Sequence, residues 1–204
     1  MKIDKIYIIH YDKEIERKKY LDNILPSFSI PYEYRSLYNR NSPEILRDDY
    51  FDQTDNKKNK INAVINQYGI NIDQGMPLEW GERARGYRAV TLEHYKTYEH
   101  VVTNTNYENV LIIEDDIIFD ENFCIILQEY LKTLPSDYDV CYLGSCCNMK
   151  LPYYTDKILD KHPYYFSKCS DSYIVGRSAL QKIVKTALPF FGAIDWELNY
   201  LQAL

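Results

Sequence analysis

The chain has 204 residues, 46% of them hydrophobic and 26% charged, and its formal net charge is -6. This composition excludes a disordered chain, and the negative charge argues against a nucleic-acid-binding protein, which normally presents a dominant basic face. The length suits one α/β domain with its own core, and because the sequence has no internal repeat or low-complexity tract, we expect a single domain over residues 1–204.

The first elements alternate between strand and helix. Residues 5–12 form an apolar run that predicts a buried strand, and residues 14–25 place apolar side chains on one face of a helix that Pro26 ends. Residues 31–38 are typical of a second strand, and residues 39–60 are polar and predict a loop. A strand, a helix and a strand in this order predict a βαβ unit.

The middle of the chain predicts two helices separated by an irregular stretch. Residues 61–69 are expected to form a short helix that ends at Gly69, and residues 71–86 are expected to be irregular. In residues 87–102, apolar side chains recur at three- and four-residue spacing, which predicts a helix packed against the sheet.

The remaining elements complete an α/β pattern. Apolar residues flank three acids in residues 109–119, which predicts a strand, and residues 120–135 form the clearest amphipathic helix, with Asp120 as its cap. The further predicted elements are strands over residues 137–145 and 170–176 and helices over residues 177–189 and 193–204. This alternation favours a central sheet with helices on both faces. The apolar final residues suggest a chain that continues beyond Leu204.

The cysteines and the apolar runs bear on the cellular compartment. Five cysteines are present, an odd number with one adjacent pair and no CxxC spacing, so we expect neither a disulfide framework nor a structural zinc site. The N-terminal stretch lacks the apolar core of a signal peptide, and no apolar run approaches the ~20 residues of a membrane span. These features predict a reduced, cytoplasmic protein that would act at a membrane from its surface or through a partner.

Three consecutive acids, Glu114, Asp115 and Asp116, stand in the middle of the apolar stretch "NVLIIEDDIIF". Side chains alternate along a strand, so Glu114 and Asp116 would point to one face and Asp115 to the other. At the carboxyl end of a strand in an open α/β sheet, such a pair suits Mg²⁺ or Mn²⁺ bound together with substrate phosphate oxygens. The alternative is an exposed turn between two hairpin strands.

Arg83, Arg85 and Arg88 fall within six residues just before or at a predicted helix start. Guanidinium groups and helix N–H donors at such a place suit a diphosphate, and a solvated basic turn is the alternative. Asp195 stands at the predicted start of the last helix, where its spacing alone favours an N-cap. His94 lies on the apolar face of its helix, a pattern more typical of a buried histidine with satisfied hydrogen bonds than of a ligand.

Several segments together resemble glycosyltransferase family 25, which includes lipooligosaccharide galactosyltransferases and collagen hydroxylysine galactosyltransferases. The segments "VLIIEDDIIF", "YDVCYLG", "SYIVGRSALQKIV" and "PFFGAIDWEL" follow one another in the family's order. The opening "IYIIHYDKEIERKKYL" is similar to the family's first strand and helix, with Arg17 at the matching place. In "VTLEHYKTYEHVV", His94 matches the family's histidine, and Glu93 stands where the family commonly has serine.

The resemblance implies a GT-A-like (Rossmann-like) fold, with a central, mostly parallel mixed sheet flanked by helices. It implies transfer of galactose or glucose from a UDP-sugar with inversion at the anomeric carbon, and a Mn²⁺ or Mg²⁺ ion held by Glu114 and Asp116. An inverting transfer needs a carboxylate to take the proton of the acceptor hydroxyl, and Asp195 is the candidate for this catalytic role.

The resemblance also suggests a set of donor-binding residues. Tyr11 and Arg17 would lie near the base and ribose, and Asp115 would turn toward the ribose or the sugar. The complete expected donor-binding set is Tyr11, Arg17, Arg83, Arg85, Arg88, His94 and Asp115. The acceptor would be a glycan, a lipid-linked glycan or a hydroxylysine.

Two other function classes are compatible with the acids. A metal-dependent phosphohydrolase would also use paired aspartates at a strand end, but it would need a hydroxyl side chain after them, and "EDDIIF" supplies none. A catalytically silent module that binds only sugars or a partner protein is the other alternative, which the Glu93 departure supports.

Overall fold

A mixed sheet of five strands forms the centre of the computed structural model, which describes residues 1–52, 59, 63, 82–144 and 169–203. The strands are β1 (Lys5–Ile9), β2 (Tyr32–Arg35), β3 (Asn109–Glu114), β4 (Val140–Tyr142) and β5 (Ser172–Gly176). Their order across the sheet is β2-β1-β3-β5-β4. β1 is parallel to β2 and β3, whereas β5 is antiparallel to both of its neighbours, so it alone among these strands runs in the opposite direction.

Helices cover both faces of this sheet. They are α1 (Ile15–Ile24), α2 (Glu82–Asn104), α3 (Phe123–Thr133), α4 (Arg177–Thr186) and α5 (Ile194–Ala203), with short 3₁₀ segments at Leu25–Phe28 and Pro43–Leu46. None of the described helices is both long enough and apolar enough to cross a lipid bilayer. The sheet with helices on both faces confirms the α/β class that the alternation predicts.

The alternation of side chains along the strands divides the core into two apolar clusters. On one face, Tyr7, Ile112 and Tyr173 pack with α2, α4 and α5. On the other face, Ile8 and Leu111 pack with α1 and α3. Because the central strands are covered on both sides, β1 and β3 read as continuous apolar runs rather than alternating ones, and each fully buried aliphatic side chain contributes about 1.5–3 kcal/mol relative to exposure.

The direction of β5 brings distant parts of the chain to one edge of the sheet. β1 and β3 end at the same level, because Ile9 is paired with Glu114. β5 runs the other way, so its first residue, Ser172, is paired with Ile113 near the end of β3. The residues that follow β1 and β3 therefore meet the residues that precede β5, and this carboxyl edge is where open α/β sheets bind ligands.

Several element boundaries differ from those predicted. β2 is shorter than expected, and β3 ends at Glu114 instead of continuing through the acids. α2 already includes residues 82–86, which were expected to be irregular, because an isolated glycine such as Gly86 is tolerated inside a helix. The predicted helix over residues 61–69 lies outside the described residues except for Ala63, which is helical.

Two local predictions are wrong. α3 begins at Phe123 without a side-chain cap; Asp120 instead accepts a hydrogen bond from the backbone N–H of Asn122 at 2.7 Å, before the helix starts. Cys169 is disulfide-bonded, which contradicts the expectation of a fully reduced chain, whereas Cys124 and Cys141 carry free thiols.

Candidate active site

A cavity of about 1200 Å³ opens at the carboxyl edge of the sheet. One side of its described lining is polar and contains Glu114, Asp116, Ser170, Asp171 and Asp195. The other side is largely apolar and is formed by the chain after β3 and by α3, including Ile117, Phe119, Phe123 and Leu127. With Asp120, the described lining thus places five carboxylates beside an apolar wall.

Glu114 is the last residue of β3 and faces α2. Its Oε1 accepts a hydrogen bond from Oγ of Ser170 at 2.9 Å and lies 3.4 Å from Nε2 of His94. Burial acts to raise the pKa of the Glu114 carboxyl, but the nearby His94 ring and the hydrogen bond from Ser170 outweigh it and hold this pKa below its ordinary value. Glu114 is therefore ionised and oriented.

His94 belongs to a buried chain of polar groups behind Glu114. Nδ1 of His94 lies 2.7 Å from the hydroxyl of Tyr173, which makes a very short contact with the hydroxyl of Tyr98. The His94 ring is fully buried and stacks on the Tyr173 ring at 5.9 Å. His94 touches Glu114 rather than the open cavity, so its placement suits control of the Glu114 carboxylate.

Asp116 and Asp171 add negative charge beside Glu114, which Arg17, with Nη1 3.8 Å from an oxygen of Asp116, compensates only in part. Partial removal from water, and then the charge of Glu114, raises the pKa of both carboxyls. Oδ1 of Asp171 is buried and has no hydrogen-bond partner among the described residues. An isolated buried carboxylate oxygen is costly, so this edge of the sheet favours a bound cation.

Gly144, after β4, allows the Asp171 carboxylate to sit against the backbone. A Cβ atom at Gly144 would lie 2.7 Å from Oδ2 of Asp171 and 3.2 Å from Oγ of Ser172. Any larger residue would require the Asp171 carboxylate to shift, so Gly144 accommodates the present position of this carboxylate between the ends of β4 and β5.

Asp195 is the second residue of α5, so the prediction that it caps this helix is wrong. The helix begins one residue earlier, at Ile194, and Oδ1 of Asp195 accepts a hydrogen bond from the N–H of Trp196 at 2.9 Å. Burial raises the pKa of Asp195 to about 6, and the charge of Glu114 adds to this effect. Asp195 thus faces the cavity as a carboxylate with unusually high proton affinity.

Asp115 points away from the cavity, to the face covered by α1. It is 7% exposed, and its two oxygens accept hydrogen bonds from Nδ1 of His10 at 2.8 Å, from the N–H of Tyr11 at 3.1 Å and from Nη1 of Arg17 at 2.8 Å. The structure therefore brings Asp115, Tyr11 and Arg17 together, but it places them outside the described lining of the cavity. Their expected contact with a donor stays a prediction.

Arg83, Arg85 and Arg88 lie within the first two turns of α2, at the helix start where they were expected, but the described side chains have different surroundings. Arg88 lies inside α2, where it is 5% exposed, donates from Nη1 to the carbonyl of Ile45 at 3.0 Å and covers the ring of Phe51. Burial lowers the pKa of Arg88 to about 10. Arg88 lines the cavity, whereas Arg85 is exposed outside its described lining, and the side chain of Arg83 lies outside the described residues.

The acids at the cavity have the right chemistry for a hard divalent cation. Carboxylate oxygens are the ligands that Mg²⁺ and Mn²⁺ prefer, and the unpartnered oxygen of Asp171 shows that one such oxygen is available. Within the described ranges, no group of three Asp, Glu, His or Cys side chains is arranged to hold a metal ion. The residues therefore fit a cation of the Mg²⁺ type, which commonly takes one or two carboxylates and completes its coordination with waters and substrate phosphates.

The sequence analysis missed His10, Ser170 and Asp171. His10 directly follows β1, and the pairing of Ile9 with Glu114 sets it beside Asp115. Ser170 and Asp171 precede β5 and reach the cavity only because this strand is antiparallel to β3. Local periodicity does not show which strands pair or in which direction each strand runs. The one signal for these site residues was the clustering of polar residues at predicted strand ends.

Comparison with known proteins agrees with this architecture. The model of a family described as glycosyltransferase family 25 (LPS biosynthesis protein) matches residues 3–195. No curated protein matches the chain. The matched range runs from before β1 to Asp195 and so contains all five carboxylates of the described cavity lining, and it confirms the resemblance that the ordered segments indicate. The chain belongs to glycosyltransferase family 25.

Proposed function

We propose that the chain transfers a hexose, galactose or glucose, from a UDP-sugar to an acceptor hydroxyl with inversion, and that it uses Mn²⁺ or Mg²⁺. The observation that carries this proposal is the convergence of Glu114, Asp116 and Asp195 on one cavity at the carboxyl edge of the sheet. The family match favours sugar transfer over the phosphohydrolase alternative.

Glu114 and Asp116 would hold the cation. When bound, Mn²⁺ or Mg²⁺ supplies positive charge that stabilises the nucleoside diphosphate as it leaves the sugar. Ser170 and His94 keep Glu114 ionised and oriented toward this task. Arg88 is the donor-site candidate that the cavity position supports best, because a buried guanidinium is a strong partner for a diphosphate.

Asp195 would act as the general base. The acceptor oxygen attacks the anomeric carbon from the face opposite the diphosphate, its proton passes to the Asp195 carboxylate, and the bond from the sugar to the diphosphate breaks. A pKa of about 6 leaves Asp195 ionised at neutral pH while making it a stronger base than an exposed aspartate. Attack from the opposite face produces inversion.

The acceptor would lie between Asp195 and the apolar wall of the cavity. Phe119, Phe123 and Tyr130 offer ring surfaces to the apolar faces of sugar rings. A glycan, a lipid-linked glycan and a hydroxylysine all carry the hydroxyl that this arrangement needs.

A thermal-shift panel tests the proposal. UDP-galactose, UDP-glucose, UDP, and GDP- and CMP-linked sugars are each added with Mn²⁺, with Mg²⁺ and with excess chelator. The correct donor should raise the melting temperature only with a divalent cation, because ligand binding stabilises the folded state by mass action. The same samples are assayed for release of UDP. A shift with UDP-sugars that survives chelation would overturn the cation role, and the absence of a shift with every nucleotide would favour the silent-module alternative.

A further inference from the structure

The carboxylate of Asp115 is held by groups that come from one distant stretch, the end of β1 and the start of α1. The hydrogen bonds from His10, Tyr11 and Arg17 span 105, 104 and 98 residues of sequence, respectively. Both oxygens are engaged, one by His10 and the N–H of Tyr11 and the other by Arg17. We call these four residues the Asp115 clamp.

The clamp follows from the register of β1 and β3. Because Ile9 is paired with Glu114, the next residues on the two strands, His10 and Asp115, are neighbours, and both point to the face covered by α1. The ring of His10 is itself fixed by an edge contact with Tyr34 at 5.2 Å.

The position of the clamp connects it to the cavity. Asp115 lies between Glu114 and Asp116 in the chain, so any rotation of its backbone moves both neighbours. The two neighbours share the cavity lining with Asp171, so like charges meet on that side of the turn. Their mutual repulsion favours opening of the turn unless the turn is held from the other side. Arg17 supplies that hold, with Nη1 2.8 Å from Asp115 and 3.8 Å from Asp116.

We infer that Asp115 is a positioning residue, which acts with His10 and Arg17 to fix the turn after β3 so that Glu114 and Asp116 face the cavity together. This inference rests on the proposed function for its effect on cation binding. The hydrogen bonds that fix the turn do not depend on that function. It also assigns Arg17 to the framework of the site, in place of the ribose contact expected from the sequence.

Cation affinity distinguishes a positioning role of Asp115 from direct contact of Asp115 with the donor. The variants are Asp115→Asn and Arg17→Ala, with Arg17→Lys as the conservative form. The matched control is Lys18→Ala, which removes a cation from the same helix whose partner, Asp22, is on the surface. Titration calorimetry measures Mn²⁺ binding without nucleotide and UDP binding without metal, and steady-state assays separate kcat from KM.

We expect Asp115→Asn and Arg17→Ala to weaken Mn²⁺ binding by about 10- to 100-fold, as losses of groups that orient metal ligands do. Arg17→Lys should restore most of this affinity, because one N–H from a charged group makes the contact with Asp115. In Asp115→Asn and Arg17→Ala, kcat should fall more than KM rises, and metal-free UDP binding should stay at the wild-type value. Lys18→Ala should leave all of these quantities at their wild-type values. A loss of metal-free UDP binding with unchanged Mn²⁺ binding would overturn the inference and put Asp115 in contact with the donor.

Hydrogen exchange tests the clamp independently of any ligand. Peptides covering residues 112–120 should exchange faster in Asp115→Asn and Arg17→Ala than in wild type and Lys18→Ala. Arg17 is 44% exposed at its side chain, so Arg17→Ala should fold even if Asp115→Asn does not. If wild type binds no Mn²⁺, the proposed function fails while the exchange result still decides on the clamp. Unchanged exchange in Arg17→Ala would overturn the clamp itself.

Discussion

The two faces of the sheet treat the acids at the end of β3 in opposite ways. On the α1 face, every oxygen of Asp115 has a donor, one of them a charged guanidinium. On the α2 face, Asp116 and Asp171 are repelled by Glu114, and one oxygen of Asp171 has no partner among the described residues. Acids that are satisfied by the protein hold the fold, whereas acids left unsatisfied are available to a ligand.

The same contrast should appear in the free energy of unfolding. A buried carboxylate without a partner costs stability, and proteins keep such groups where activity needs them. Substitutions on the cavity face should therefore remove activity with little loss of stability, or even with a gain. Substitutions among the buried hydrogen-bonded groups should cost stability as well as activity.

Asp116→Ala should have the largest effect on activity. We expect transfer to fall by at least about 100-fold, because the variant removes one of the two carboxylates that would hold the cation. Stabilisation of the leaving diphosphate by a cation contributes strongly to the rate of such reactions. The melting temperature should change little, because Asp116 is exposed and its nearest described cation, on Arg17, is 3.8 Å away. Product formation and thermal unfolding measure the two effects. Glu121→Ala, which removes an exposed acid nearby, is the control, and full activity of Asp116→Ala would end the cation assignment.

Asp195→Asn should reduce turnover by about 100-fold or more while donor binding persists, because a general base commonly contributes 10²- to 10⁴-fold. The asparagine can still accept the N–H of Trp196, so the start of α5 should be preserved. Single-turnover kinetics and UDP calorimetry are the measurements. If UDP binding disappears instead, Asp195 belongs to the donor site.

The same variant tests the pH dependence of stability. Burial raises the pKa of Asp195 from 3.8 to about 6, so the folded chain binds this proton more tightly than the unfolded chain does. The contribution of Asp195 to stability is therefore most favourable below pH 4 and is lost as the pH rises through 6. Asp195→Asn should be about 1–3 kcal/mol more stable than wild type at pH 8 and equally stable near pH 4, by denaturant unfolding. Equal stability at both pH values would show that Asp195 is not strained in the fold.

Tyr173→Phe should have an intermediate effect. It removes the hydroxyl between His94 and Tyr98, which leaves buried polar atoms without a partner and costs about 1–3 kcal/mol. His94 should then hold Glu114 less firmly, and transfer should fall by roughly tenfold. Tyr138→Phe is the matched control, because it also loses one hydrogen bond, to Asn109, away from the cavity. Equal activity of the two variants would exclude a role for the buried chain in orienting Glu114.

Gly144→Ala should have the smallest effect. The new Cβ would lie 2.7 Å from Oδ2 of Asp171, but this atom is the end of a side chain and can shift, so the cost should be about 1 kcal/mol or less. Gly86→Ala provides the contrast, because nothing lies within 4 Å of its added Cβ and the helix should gain about 0.5–1 kcal/mol. Urea unfolding compares the two. A loss above about 3 kcal/mol in Gly144→Ala would show that the Asp171 carboxylate cannot move.

The parts of the site that depend on local rules could be predicted from the sequence. Two-residue alternation predicts that Asp115 points away from Glu114 and Asp116, and the structure places only the outer two at the cavity. The alternation of apolar segments likewise predicts the α/β class. These features need no knowledge of which strands pair.

The parts that depend on pairing or on helix starts could not be predicted. Asp171 reaches the cavity because β5 is reversed, and His10 meets Asp115 because β1 pairs with β3 in one register. Asp195 was expected to be a cap, but α5 begins at Ile194, so Asp195 lies inside the first turn and lines the cavity. A shift of about one or two residues at a helix start turns a cap into a residue of the first turn, so such roles follow only from tertiary contacts.

The reversed strand β5 has one more consequence, which concerns how the molecule can be modified. The N–H of Leu143 donates to the carbonyl of Ser172 at 3.0 Å, so the chain leaves β4 and returns to β5 at nearly the same point. Segments that connect two fixed, adjacent points can be lengthened or exchanged with only a slow increase in closure entropy. A change of chain length between the end of β4 and the start of β5 that keeps the disulfide of Cys169 should therefore cost little closure entropy, and urea unfolding of such variants measures that cost.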